Sequence, residues 1–91
     1  MGFFGFGKKK VTYKLVKNGR ANYIGTTNSP YRRNAEHSKN KDYDYMEVTS
    51  GRVSGREAGR REKRNLKSYR RATGRNPKYN KTFNGKFNRW F

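Results

Sequence analysis

Tyr23, Arg33 and His37 lie within one short stretch, YIGTTNSPYRRNAEH, over residues 23–37. They offer a phenol, a guanidinium and an imidazole. Arg33 and His37 are four apart, and four helical residues span about 400°, so a helix holds the two within about 40° of each other. Tyr13 stands ten residues before Tyr23, in a run that alternates as a strand does. A guanidinium grips two oxygens of an anion at once, which an ammonium does less well. An imidazole exchanges its proton near neutral pH. A free phenol has a pKa of about 10, so roughly one in a thousand is ionised at pH 7, and a neighbouring cation such as Arg33 lowers that value. The set suits proton transfer beside an anionic oxygen.

Several elements must position these groups. Residues 10–16, KVTYKLV, alternate and are rich in β-branched types, which predicts a strand. Lys17-Asn18-Gly19 is a turn and residues 20–25 form the return strand. A two-residue Asn-Gly loop pairs Lys17 with Arg20 and Tyr13 with Ile24, leaving the two phenols on opposite faces. A three-residue loop with Gly19 in the left-handed region pairs Val16 with Arg20 and Tyr13 with Tyr23. The three-residue loop is expected, because it gives both phenols to one site. Ser29 is placed as an N-cap and Pro30 as the first helical residue of a helix reaching about Lys39. Asn40-Lys41-Asp42 is a loop. Residues 43–49 alternate as a third strand, with Tyr43, Tyr45 and Glu47 on one face and Met46 and Val48 on the other. Ser54-Gly55-Arg56-Glu57 fits a capping box. A second helix then continues to about Thr73 and stops at Gly74. Its apolar positions are few: Ala58, Leu66, Tyr69 and Ala72. Asn76-Pro77-Lys78-Tyr79-Asn80 reads as an ordered turn, and Asn84-Gly85, between Phe83 and Phe87, as a short hairpin. The chain thus divides into a flexible Gly/Phe/Lys lead-in at 1–9, one domain at 10–80 and a basic aromatic tail at 81–91.

The 91 residues carry a net charge of +18. Charge of that size on one small domain points to a polyanionic partner, nucleic acid first. Lys and Arg are spread along the whole chain, so the folded body itself is basic. With 30% hydrophobic residues the core is expected to be small and rich in tyrosine, its stability modest. The absence of cysteine excludes disulfides and thiolate metal sites. No apolar run approaches membrane-spanning length, and Phe3-Phe4-Gly5-Phe6 is too short for a signal-peptide core.

Tyr13, Tyr23-Ile24-Gly25, Arg33 and His37, in that order and spacing, resemble the GIY-YIG nuclease family. The likeness continues through Ala58, Glu62 and Leu66, each four apart, and through Pro77-Lys78-Tyr79-Asn80. It spans about residues 11–80. The first motif reads Val11-Thr12-Tyr13, with its glycine and isoleucine replaced, and Asn80 lies eighteen positions after Glu62, a longer interval than in compact members. The resemblance implies an α+β fold, with a small three-stranded antiparallel sheet flanked by helices. It implies metal-dependent endonuclease activity that hydrolyses phosphodiester bonds, with one Mg²⁺ or Mn²⁺ held by Glu62. Tyr13 and Tyr23 then lie beside the attacking water and the scissile phosphate, Arg33 holds the phosphate, His37 supports proton transfer and Asn80 orients its neighbours. Tyr13 is the usual general base of such a set, with His37 as proton acceptor. Glu57 is the rival carboxylate, but the capping box gives it a structural task.

DNA is the expected partner, with Arg32, Arg60, Arg61, Arg64 and Lys78 on its phosphates and no membrane involved. Site-specific members of that family usually carry an added DNA-binding domain or long insertions, and 91 residues leave room for neither. Low intrinsic sequence specificity follows, or specificity lent by a homodimer or a partner protein. The expected setting is cytoplasmic and nucleoid-associated, or delivery as a phage, mobile-element or toxin component. The alternative is a non-catalytic basic nucleic-acid-binding protein that keeps the fold, which needs the charge but not Tyr13, His37 and Glu62 together. A membrane-active cationic protein built on Phe3, Phe4, Phe6 and Trp90 lacks a long amphipathic helix to support it.

Overall fold

The computed structural model describes residues 9–80. The lead-in except Lys9, the tail at 81–91 and the expected Asn84-Gly85 hairpin lie outside the described residues. Strands β1 (Val11–Lys17), β2 (Arg20–Thr27) and β3 (Tyr45–Val48) form one antiparallel sheet in the order β2-β1-β3. Helix α1 (Pro30–Ser38) lies between β2 and β3 in sequence, and α2 (Gly55–Thr73) follows β3. The expected α+β class with a three-stranded antiparallel sheet and flanking helices is therefore what the chain adopts.

The β1–β2 turn has two residues, not the three expected. Lys17 pairs with Arg20. Asn18 and Gly19 both adopt positive φ, 53° and 77°, the combination that matches the twist of a two-residue hairpin. Such a turn alone would set the phenols on opposite faces. A bulge between Leu15 and Val16 corrects the phase. Val16 pairs with Ala21 and Leu15 with Tyr23, so Asn22 is the extra residue, and Tyr13 then faces Gly25. Tyr13 and Tyr23 thus share one face by a route the sequence reading did not foresee. Asn22 is fixed from outside the sheet. Its carbonyl accepts from Tyr79 N–H (2.8 Å) and its amide donates to the Asp42 carbonyl (2.8 Å).

Pro30 does open α1, but the Ser29 side chain makes no capping bond, and Ser29 N–H donates to Thr27 Oγ1 instead. In α2 the Ser54 hydroxyl accepts from Glu57 N–H at 3.1 Å. The reciprocal half of the box is missing, because the Glu57 carboxylate is taken by Arg61 at 2.9 Å and Arg60 at 3.5 Å. Gly74 ends α2 in the left-handed conformation at φ 82°, its N–H bonded to the Arg70 carbonyl. The third strand is shorter than expected, and Tyr43 precedes it, its hydroxyl bonded to the Asn34 backbone carbonyl.

The buried apolar side chains among the described residues are Val11, Tyr13, Leu15, Val16, Ile24 and Ala58. The core is small, as expected, but Tyr13 is its one tyrosine; Tyr43 and Tyr69 are half-buried and Tyr45 is exposed. Five of the six stand on β1 or β2, so the hairpin forms the centre of the molecule. Gly19→Ala places a Cβ in the left-handed region and should cost about 1–2 kcal/mol. Asn18→Gly should be close to neutral. Urea denaturation followed by circular dichroism measures both, and equal stability of the Gly19→Ala chain would contradict the turn assignment.

Candidate active site

Tyr13 is buried and its hydroxyl leans across β2 above Gly25. A Cβ on Gly25 would stand 2.9 Å from Tyr13 Oη and 2.7 Å from Tyr23 Cε2. The absence of a side chain at residue 25 is therefore what gives the two phenols their room. Their ring centroids are 6.0 Å apart. The helix that follows brings His37 onto both rings, with centroids 5.8 Å from Tyr13 and 4.9 Å from Tyr23. Tyr13 Oη and His37 Nε2 are 2.7 Å apart in a buried hydrogen bond. His37 is only 6% exposed, and it is the one buried residue of α1.

The protonation states follow from the surroundings. Burial pushes the Tyr13 phenol well above its ordinary range, with Tyr23 and Glu62 adding to the rise and Arg33 opposing it. Tyr23 is raised for the same reasons, burial first and Glu62 next. The expectation that cations would lower these phenols holds for the direction of Arg33's contribution but not for the sum, because desolvation is the larger effect. Burial lowers His37, and Lys41 and Arg33 lower it further, against a small opposing pull from Glu36. At neutral pH the imidazole is therefore neutral and Tyr13 protonated. In the tautomer with its proton on Nδ1, His37 Nε2 accepts from the phenol; in the other it donates to it.

Arg33 projects from the exposed side of α1, and its charge acts on Tyr13, Tyr23 and His37 alike. Its guanidinium pairs with Glu36 at 3.1 Å. The pair is half-exposed, so little free energy is lost when an anionic ligand replaces Glu36. Glu62 comes from α2. Burial raises its carboxyl, against the Thr26 hydroxyl and the Lys10 ammonium, which favour the charged form. Glu57 is instead held below the ordinary carboxylate range by its bond to Arg61. Of the two rival carboxylates, Glu62 is the one whose charge reaches the phenols. Asn80 touches none of these groups. Its side chain clamps the outer edge of β2, accepting from Ile24 N–H at 2.8 Å and donating to the Ile24 carbonyl at 3.0 Å. It fixes the backbone between Tyr23 and Gly25.

The structure thus brings Tyr13, Tyr23 and His37 into contact, with Arg33 and Glu62 within electrostatic reach and Asn80 behind the strand. Of the residues assigned to phosphates, Arg32, Arg60, Arg64 and Lys78 are exposed, whereas Arg61 is half-buried with its guanidinium on Glu57. Lys41 went unnoticed in the sequence. Its ammonium lies 5.4 Å from the Tyr23 ring centroid and 5.8 Å from that of Tyr79. Its place in a polar Asn-Lys-Asp loop gave no signal beyond its being four residues after His37. Thr26, beside Glu62, was likewise unremarked. Compared with protein-family models, curated proteins and solved structures, the chain matches none.

The lowered His37 pKa has a definite sign for stability. As pH falls below about 6.5 the unfolded chain takes up this proton before the folded chain does, so folding stability declines as pH drops through the folded value. Above about 6.5 this group contributes no pH dependence. The imidazole resonances should titrate with a midpoint below 6.5 in NMR, and Lys41→Met should move that midpoint upward. A midpoint at or above 6.5 would contradict the buried, neutral imidazole.

Proposed function

We propose that the chain is a metal-dependent endonuclease of the GIY-YIG type that hydrolyses phosphodiester bonds in DNA. The observation that carries this reading is the buried Tyr13–His37 hydrogen bond beside Tyr23, with Arg33 and Glu62 acting on the same phenols. A structural tyrosine needs a partner for its hydroxyl, but it does not need a neutral imidazole with a guanidinium and a desolvated carboxylate arranged about it.

In this reading Arg33 leaves Glu36 and binds a non-bridging phosphate oxygen with two N–H groups. Tyr13 Oη takes the proton of the attacking water as its own proton passes to His37 Nε2. A phenol held so far above its ordinary pKa cannot remain ionised as a stored base, so the two transfers are coupled, and His37 is the group that becomes charged. The lowered His37 pKa keeps the imidazole ready to accept. Tyr23 borders the same space and restricts the water to one side of the phosphate. Asn80 and Gly25 hold β2 so that both hydroxyls converge.

The resemblance brings with it a magnesium or manganese ion. No group of three or more His, Cys, Asp or Glu side chains is gathered among the described residues. One desolvated carboxylate nevertheless fits magnesium, which keeps several waters and is held by one or two carboxylates together with substrate phosphates. Glu62 would hold it, and there it supplies positive charge for the oxyanion that develops at the phosphate. Binding would displace the proton that burial favours on Glu62, and the charge of the metal would offset the cost of the buried carboxylate.

The described helices include none long and apolar enough to cross a membrane. A DNA partner, weak sequence preference, and action with a second copy or a specificity-giving protein belong to the same proposal, as does a place on cellular DNA or among phage and toxin components.

Plasmid nicking should require Mg²⁺ or Mn²⁺ and disappear in excess EDTA. Glu62→Gln should lower the rate by about 100-fold or more while duplex affinity is kept, and Glu57→Gln should leave cleavage within a few-fold of wild type. Cleavage undiminished in EDTA, or a folded Glu57→Gln chain that is inactive beside an active Glu62→Gln chain, would overturn the assignment. A wild-type protein that binds duplex and never cuts it would give the site to the non-catalytic binding module.

A further inference from the structure

Helix α2 packs on the sheet through its buried Ala58. Gly55 stands beside Lys10, Glu62 beside Thr26, and Asn65 and Tyr69 line a cleft with Tyr13, Lys14 and Ile24. Thr26 and Ile24 are paired across the hairpin with Thr12 and Lys14. Strand side chains alternate, so these residues occupy the face of the sheet opposite to Tyr13, Tyr23 and Gly25. The inner side of α2, with Ala58 and Glu62, thus rests on the sheet and reaches the phenols from there, while its outer surface, opposite Ala58, points away from both the sheet and the tyrosines.

That outer surface is one continuous cationic stripe. Taking about 100° per residue from the buried Ala58, Arg56, Arg60, Lys63, Arg64, Lys67 and Arg71 all fall within roughly 100° of arc opposite it. All six are exposed. The stripe runs about 22 Å along a rigid helix. The acidic residues of α2 offset it only in part: Glu62 is turned toward the sheet, and Glu57 is held by Arg61 at 2.9 Å and, within the stripe, by Arg60 at 3.5 Å. Like charges at i,i+4 destabilise a helix, so the pattern carries a small folding cost that core packing does not require.

The geometry points to a second duplex-DNA-binding surface on the outer face of α2, separate from the tyrosine–histidine site, so that one chain holds two duplex segments at once. The rigid stripe fits a partner of high and regular charge density. Duplex DNA presents about one phosphate per 1.7 Å of axis, roughly twice what an extended acidic peptide offers at about 3.3 Å per residue. The inference rests on the nucleic-acid part of the proposed function and not on cleavage.

The test is made in EDTA, where no cutting takes place, so that its failure and the failure of the nuclease reading are told apart. Duplexes of about 16 bp, near one and a half helical turns, are titrated into the chain, and a bead-bound duplex is tested for protein-dependent capture of a labelled one. Wild type should saturate at two duplexes per chain and capture the label. A dimer that joined duplexes through one site per chain would saturate at one. The fourfold variant R56S/K63S/K67S/R71S should bind one duplex, lose capture and show a log–log salt slope shallower by about 3–4. Should it fail to fold by circular dichroism, Lys63→Gln with Lys67→Gln carries the same test, with the slope falling by about 2. Saturation of wild type at one duplex per chain, capture undiminished in a folded stripe variant, or occupation of the stripe by polyglutamate and not by duplex would each overturn the proposal.

Discussion

A buried hydroxyl must have a hydrogen-bond partner, and in this molecule that requirement ties the first helix to the sheet. Tyr13 belongs to the central strand and is almost wholly enclosed. Leaving its hydroxyl unpaired would cost about 1–3 kcal/mol. His37 is the partner, and α1 buries nothing else. The helix is thus placed less by apolar packing than by one polar contact whose members are both ionisable. Gly25 makes the contact possible, because the phenol crosses β2 where any Cβ would stand. Asn80 and the bulge at Asn22 set the path of β2 at that point, one by clamping Ile24 and the other by restoring the phase of Tyr23.

The same burial governs the chemistry. Desolvation raises Tyr13, Tyr23 and Glu62 and lowers His37, so each of the four is biased toward its neutral form. Arg33 supplies a cation at the exposed rim, engaged by a neighbouring carboxylate that a phosphate can displace. A chain of net charge +18 provides the long-range attraction, which would fall with ionic strength over about 10 Å at 0.1 M salt. On the proposed reading, a bound polyanion would stabilise the folded state of this small-cored chain by mass action.

Much of this was legible in the sequence, for identifiable reasons. Gly74 ends α2 where a left-handed residue was expected, and Ser54 caps it, because both depend on local backbone geometry. The alternation of KVTYKLV fixed the central strand. Sharing of one face by Tyr13 and Tyr23 was expected for the wrong reason. The turn took two residues, since Asn-Gly satisfies both positive-φ positions, and the phase was recovered by a bulge. No pattern in Arg20–Thr27 announces that bulge, because it is stabilised by Tyr79, fifty-seven residues away from Asn22. The rise in the phenol pKa values was missed because burial is a tertiary property, while the nearby cations could be read from the sequence. Lys41 was missed because a lysine in a polar loop looks the same whether or not two tyrosine rings lie beneath it.

The central claim is that the Tyr13 hydroxyl passes the reacting proton to His37. Tyr13→Phe tests it most directly, because it keeps the ring over Gly25 and removes one oxygen. The measurement is the single-turnover nicking rate of supercoiled plasmid at saturating Mg²⁺, beside the affinity of the same protein for a short duplex. The account predicts a rate lowered by about 100-fold or more, with affinity unchanged and a stability loss of about 1–3 kcal/mol from the unpaired imidazole nitrogen. A folded Tyr13→Phe chain that nicks DNA at the wild-type rate would contradict it.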